Sequence, residues 1–381
     1  MKKIIVLILL IFLAGCFGKV EINELPIVTA IGVDKSEEGI KVTTQVIRPK
    51  VLSGQQQGIN GTNIIVYSQE GPSVSETLTK MSVFYKNRVF LGHFQLLVFG
   101  EDFAKEGFKD AIEFFFESPR TRQRFLIAVV KGGKAEDLLK IQTPMLDTPA
   151  NEINSTIDNN AKYFGTSIVT YADEVYASPL ADEFDVAITG LEIKGDPKEG
   201  SETKGLESSD LKTKITVCGI AIFKKDKLVG WLNKDESIGY NRLRGLLKST
   251  IHTTKFENGD ITSMETLSGK LKHKVKIVDN MPEITIDYKV EGVVPSVSTK
   301  MFLEKKDVIY LEQKLSEIIK GTMEKAIKKI QEYKSDAVYF GEVINDQHPK
   351  YWKLIEKDFD ELLPKIKVII NVSVKIINQA N

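Results

Sequence analysis

The sequence predicts an α+β protein of two or three domains, with mixed and antiparallel sheets carrying packed helices. Short β-type runs alternate with helically spaced segments from Ile27 to Ile193. Past Lys270, Leu271–Ile277 and Ile284–Val290 alternate strictly between apolar and polar residues, the pattern of antiparallel strands with one packed and one wet face. From Val308 to Tyr333, apolar residues recur at intervals of three and four, the spacing of one long amphipathic helix that covers such a sheet. At 381 residues and 42% hydrophobic content, the chain can bury more than one core.

The elements follow in order, beginning with a leader. Lys2 and Lys3 precede an unbroken apolar run from Ile4 to Leu13, and Ala14 and Gly15 separate it from Cys16. Crossing a bilayer takes about 20 apolar residues, so this shorter run predicts a cleavable signal peptide over 1–15 rather than a membrane-spanning helix. Leu13-Ala14-Gly15-Cys16 resembles the lipobox of bacterial lipoproteins, in which the cysteine thiol takes diacylglycerol and the bond after Gly15 is cut. Each buried CH₂ contributes about 0.8 kcal/mol, so two acyl chains on Cys16 hold a protein stably where one holds it marginally.

Ile27–Asp34 and Ile40–Val46 predict a hairpin, Ser53–Gly61 a Gly- and Gln-rich loop, and Thr62–Ser68 a third strand. Val74, Leu78, Met81 and Tyr85 predict a helix over Ser73–Tyr85. Phe94–Phe99 reads as a strand, and Glu101–Glu117 as a helix whose Phe103, Phe108, Ile112, Phe115 and Phe116 form a core-facing stripe. Phe125–Val130 and Val186–Ile193 read as strands, with a mainly helical stretch from Lys134 to Tyr176 between them. Gly195–Leu211 has hardly any apolar residues and predicts a boundary. The organisation is therefore an N-terminal region 16–195, divisible into 17–133 and 134–195, a linker 196–212, and a C-terminal α+β domain 213–381. In the latter, Ile215–Phe223 and Leu228–Leu232 predict a hairpin, Glu236–Leu247 a helix, and the alternation from Ile366 to Ile376 a final strand.

Lys+Arg and Asp+Glu both number 52, and losing Lys2 and Lys3 with the leader leaves a small acidic excess. No basic cluster suits a nucleic acid; Lys224-Lys225 and Lys328-Lys329 read as solvated faces. One of the two cysteines is committed to lipid, so Cys218, in the apolar run Ile215–Ile220, reads as a small buried hydrophobe. His93, His252, His273 and His348 show no metal-ligand spacing, and His273 reads as a hydrogen-bonded histidine on the packed side of its strand. Nucleophile-elbow, phosphate-loop and dinucleotide fingerprints are missing, so no catalytic residue, metal site or cofactor is expected, and the sequence marks no ligand-binding residue.

Several local patterns resemble the spore germination receptor C-subunit family, the Ger(x)C or GerAC-type lipoproteins. After Cys16 come Glu21-Ile22-Asn23-Glu24-Leu25 and Ile31-Gly32-Val33-Asp34, similar to that family's opening and first strand end, with Phe17-Gly18 where the family has Trp-Asp. Gly92-His93 before one strand, and Arg120, Arg122 and Arg124 before another, are also similar. So are the hairpin Gly219–Gly230 and the segment Asp336-Ala337-Val338-Tyr339-Phe340-Gly341, with Pro349 and Trp352 beyond. The resemblance implies an elongated multi-domain protein without catalytic activity, at the outer face of the spore inner membrane. It also implies polytopic A and B receptor subunits as partners in nutrient-triggered germination. An extracytoplasmic solute-binding lipoprotein of a transporter is the alternative, since it shares the leader and the lipobox. Its two parallel α/β lobes differ from the antiparallel pattern past Lys270.

Overall fold

Eight strands form the first sheet: β1 (Val28–Ser36), β2 (Gly39–Ile47), β3 (Ile64–Gly71), β4 (Leu96–Gly100), β5 (Leu126–Val130), β6 (Ala187–Lys194), β7 (Lys214–Lys224) and β8 (Lys227–Leu232). Their spatial order is β3-β2-β1-β4-β5-β6-β7-β8, with β1, β4, β5 and β6 parallel and the outer pairs antiparallel. The structure, a computed structural model, describes residues 26–47, 62–85, 89–144, 148–181, 185–202, 206, 209–255, 261–297 and 304–377. The leader, Gly15, Cys16 and the Gly- and Gln-rich segment 53–61 lie outside the described residues.

The central strands are apolar on both faces because helices cover both. Ile31, Val33, Leu97, Phe99, Ile127 and Val129 point to one side. There they meet α1 (Val74–Met81), α2 (Glu101–Glu106) and α3 (Lys109–Glu117). The alternate residues Ala30, Leu96, Val98, Ala128 and Val130 face α4 (Ala135–Lys140) and α5 (Pro149–Tyr163). Ser73 starts α1 by accepting from Glu76 N, and Thr148 followed by Pro149 starts α5. The aromatic stripe is core, with Phe108 and Phe115 fully buried. Its helix is two helices, because Gly107 at φ +129° breaks the chain while Phe108 N donates to Asp226 O at 3.1 Å. The stretch 134–176 likewise holds α4, α5 and the start of α6 (Ala172–Ala181).

The polar stretch after β6 contains a short helix, α7 (Pro197–Ser201), and leads into the strand that pairs with β6 itself, Ala187 opposite Ile222 and Ile188 opposite Ala221. The hairpin β7–β8 therefore extends the first sheet, and strand pairing crosses the segment 196–212. Beyond it, α8 (Lys234–Leu243) opens with a capping box between Asn233 and Glu236. The second sheet comprises β9 (Thr250–Lys255), β10 (Ile261–Val278), β11 (Met281–Val297) and β12 (Lys367–Ile376), in the order β12-β11-β10-β9. β9–β10–β11 are antiparallel, whereas β12 runs parallel to β11, so this sheet too is mixed. α9 (Lys305–Glu332) covers it through Leu311, Leu315, Ile319, Met323 and Ile330, and α10 (Phe340–Gln347), α11 (Pro349–Ile355) and α12 (Phe359–Leu362) return the chain to β12.

Candidate functional site at the joint of the two sheets

Two patterns distant in sequence meet where the sheets join. The β7–β8 turn places Lys224 and Lys225, the latter at φ +54°, beside the loop after α9. Asp185, just before β6, ties them together. Its Oδ2 accepts from Lys224 Nζ at 3.0 Å and from Asp336 N at 2.8 Å, and its Oδ1 accepts from Lys225 N at 2.7 Å. Lys224 also reaches Asp360 on α12, so it is half-buried in an ion-pair network rather than on a solvated face. Ser335 Oγ donates to Phe223 O at 2.6 Å and closes the contact.

Asp336 then organises its own loop. Its carboxylate accepts from Phe340 N at 2.8 Å and Gly341 N at 2.7 Å, the donors left free at the start of α10. Burial pushes its pKa up to about 8, against those two donors, and Asp185 pushes the same way. Tyr339 takes a left-handed conformation, φ +66°, which sets its ring under the Arg244 guanidinium, 3.2 Å from the centroid. Ala337 O accepts from both Tyr240 Oη, 3.0 Å, and Arg244 Nη1, 3.2 Å. The Asp336–Gly341 pattern thus encodes a hydrogen-bonded joint. Asp185, Tyr240, Arg244 and Asp360 complete it without any signal in the sequence, since each is one polar residue in an ordinary setting.

The earlier Gly32-Val33-Asp34 pattern is a second such device. A side chain on Gly32 would meet Ala135 Cβ at 2.9 Å, and Asp34, on the same face of β1, accepts from Ala135 N at 2.7 Å and Glu136 N at 2.9 Å, capping α4 from the strand it packs on. Burial is the main influence on Asp34 and raises its pKa.

Nearby, Arg242 is fully buried in α8, donating from Nη1 to Thr322 Oγ1 at 2.7 Å and bonding His252 and Tyr288. Burial lowers the Arg242 pKa to about 10; burial and then the adjacent guanidinium lower that of His252 to about 4. His273 faces inward as its spacing suggests, and its Nε2 is buried with no partner among the described residues. Cys218 is half-buried, and burial pushes its thiol up to about 12, a protonated and unreactive state.

Among the described residues, no cluster of three or more His, Cys, Asp or Glu could hold a metal ion, and no helix is long and apolar enough to cross a membrane. A small cleft of about 50 Å³ lies between Ile141–Pro144, α5 and the start of β7. The joint is a hydrogen-bonded ion cluster that ties one end of the first sheet to the loop after α9 and to α12.

Two family models match the chain. "Spore germination protein N-terminal domain" matches residues 18–192 and "Spore germination B3/ GerAC like, C-terminal" matches 218–380, so they flank the polar segment. Spore germination protein KC of Bacillus subtilis (strain 168) is 28% identical over 387 aligned residues, covering 98% of this chain and 94% of that protein. Spore germination protein B3 of the same organism is 22% identical, covering 99% and 97%. The crystal structure of the GerBC protein superposes with a TM-score of 0.60 at 20% identity, over 91% of this chain and 97% of that one, and shares its fold. With both halves matched in order and the fold shared over 91% of its length, the chain belongs to the GerAC family of spore germination proteins, the C subunits of germinant receptors.

Proposed function

We propose that this chain is the lipid-anchored C subunit of a spore nutrient germinant receptor, tethered through diacylglycerol on Cys16 after cleavage behind Gly15. It acts at the outer face of the spore inner membrane, in assembly with polytopic A and B subunits. Its organisation follows the sequence pattern: a region 16–195, a connecting segment 196–212 and a region 213–381. The observation that carries the reading is the pair of family models, which together run from residue 18, two positions after the lipobox cysteine, to residue 380. The family is one of receptor subunits rather than of enzymes. The joint fits a role in assembly, because a rigid connection between two sheets passes a displacement from one face of the molecule to another.

The physical reason for a lipid is concentration. Confinement to the membrane plane raises the effective concentration of a subunit near membrane partners, so modest interfaces become productive. The test combines two readouts. Metabolic labelling with palmitate is expected to mark the chain and to be abolished, together with membrane retention, in Cys16→Ala. Purification of the tagged protein from detergent-solubilised spore membranes is expected to bring polytopic subunits with it. Recovery with components of an ATP-driven permease, with tight binding of a free solute by the isolated chain, would instead make it a solute-binding lipoprotein.

A further inference from the structure

The strands β1, β4 and β5 are parallel, so the segments that feed them lie together at one end of the first sheet. Gln95 N donates to Thr29 O at 3.1 Å and Leu126 N to Gln95 O at 2.9 Å, which fixes their order. Pro26, the first described residue, is part of this end: Phe90 N donates to Pro26 O at 3.1 Å, and Val28 N donates back to Phe90 O at 3.1 Å. Helix α1 runs back toward the same end, where Phe84 stacks on Tyr67 with ring centroids 6.0 Å apart.

Two kinds of exposed residue collect here. Val83 is 85% exposed, Phe84 51% and Phe90 37%, a large apolar area for residues next to a packed core. Arg120, Arg122 and Arg124, between α3 and β5, are also exposed. Arg124 lies over the Tyr171 ring at 4.4 Å with Asp173 and Glu174 near it. Phe94 touches Phe115 at 5.4 Å and Phe125 at 4.7 Å between centroids, placing the arginine segment beside the Phe90 turn. Apolar and basic side chains on one surface match the boundary between phosphate head groups and acyl chains.

We propose that this end of the first sheet is a second, lipid-facing contact, with Arg120, Arg122 and Arg124 on lipid phosphates and Val83, Phe84 and Phe90 at the head-group boundary. The proposal rests on the anchor at Cys16. Nine residues lie between Cys16 and Pro26, and the ten steps of chain from one to the other span at most about 35 Å. The Phe90 turn therefore stays within that distance of the lipid. Tethering alone leaves the body free to turn about the anchor. A second contact fixes which faces of the two sheets point away from the membrane.

The test uses the chain from residue 17 onward, which keeps every described residue and carries no acyl group. It is expected to sediment with vesicles containing phosphatidylglycerol, less with phosphatidylcholine alone, and less as salt rises. Each arginine near an anionic surface is worth about fivefold in partition, so Arg120→Glu with Arg122→Glu should lower it at least about twentyfold. Val83→Ser with Phe84→Ser should weaken it independently of salt, with an unchanged circular dichroism spectrum as the check on folding. No sedimentation with anionic vesicles, or sedimentation that neither pair alters, overturns the proposal. So does loss of co-purifying membrane subunits in these variants with vesicle binding intact, since the surface is then a protein contact. Palmitate labelling of the full chain separates the two readings. Label without vesicle binding removes this contact and keeps the anchor, whereas absence of label removes the anchored orientation whatever the vesicles show.

Discussion

Asp336 and His252 pull the pH dependence of stability in opposite directions, and the windows in which they act tell them apart. Asp336 has a folded pKa of about 8 against 3.8 for an ordinary aspartate, so between these values the folded chain holds a proton that the unfolded chain has released. Its contribution therefore falls as pH rises from about 4 to about 8. His252, lowered to about 4 from 6.5, refuses a proton that the unfolded chain accepts, so its contribution rises with pH over that interval. Below pH 6.5 the two offset each other, and above it only Asp336 remains. Urea midpoints are expected to fall from pH 6.5 to 8, and Asp336→Asn should flatten that slope. Below pH 4 the substitution should cost about 1–3 kcal/mol, because an amide offers only one acceptor to Phe340 N and Gly341 N, and that cost should shrink as pH rises towards 8. In His252→Gln the decline should begin nearer pH 4. A wild-type midpoint that stays level from pH 6.5 to 8 would show that Asp336 is ionised throughout. Neither pKa was legible in the sequence. The Asp336–Gly341 pattern marks the loop, but the partners that bury it, Asp185 and Arg244, come from segments 151 and 92 positions away, and nothing local pairs them.

Elements were more legible than their pairings, for a physical reason that α8 and α9 display. Periodicity reports which face of a segment is buried, and it places α9 over Val308–Tyr333 against Lys305–Glu332 in the structure, and β12 within a residue of its bounds. It does not report the partner. β9 and the first ten residues of β10 were missed because Ile251, Ile261 and Leu267 are exposed and blur the alternation there. The parallel pairing of β12 on β11 and the joining of β7 to β6 were equally unreadable, since both depend on where long connections return. Close approach of helices is also silent in periodicity. Gly239 of α8 sits on the α9 backbone, where a side chain would fall on the Thr322 carbonyl, whereas Gly321 on α9 faces open space. Gly239→Ala is therefore expected to destabilise by about 1–3 kcal/mol despite the better helix propensity of alanine. Gly321→Ala should stabilise by about 0.5–1 kcal/mol. Chemical denaturation of the two variants checks the contrast, and the same sign for both would mean that α8 and α9 do not hold this separation in solution.

At the scale of the whole molecule, composition divides the chain where the core does not. The polar segment 196–212 lies between the two family models, yet one apolar cluster runs from Ala187, Ile220, Ile222 and Leu232 of the first sheet to Ile284, Ile286, Leu315 and Trp352 of the second half. Burial across a polar connection makes the halves unfold together if the shared cluster outweighs what each half keeps alone. The two tryptophans provide the test, because Trp231 lies on β8 of the first sheet and Trp352 on α11 of the second half. With Trp352→Phe the fluorescence reports the first half, and with Trp231→Phe it reports the second. The two unfolding midpoints are expected to coincide once each variant is compared with its own circular dichroism transition. Ile220→Ala, which empties a fully buried position between the halves, should then lower both by the same amount, about 2–5 kcal/mol. Midpoints that separate, with Ile220→Ala moving only the Trp231 transition, would show that the ion cluster around Asp185 joins two independently stable bodies. The joint would in that case be a hinge rather than a rigid coupling, and a displacement of one half would be passed on by reorientation instead of by strain.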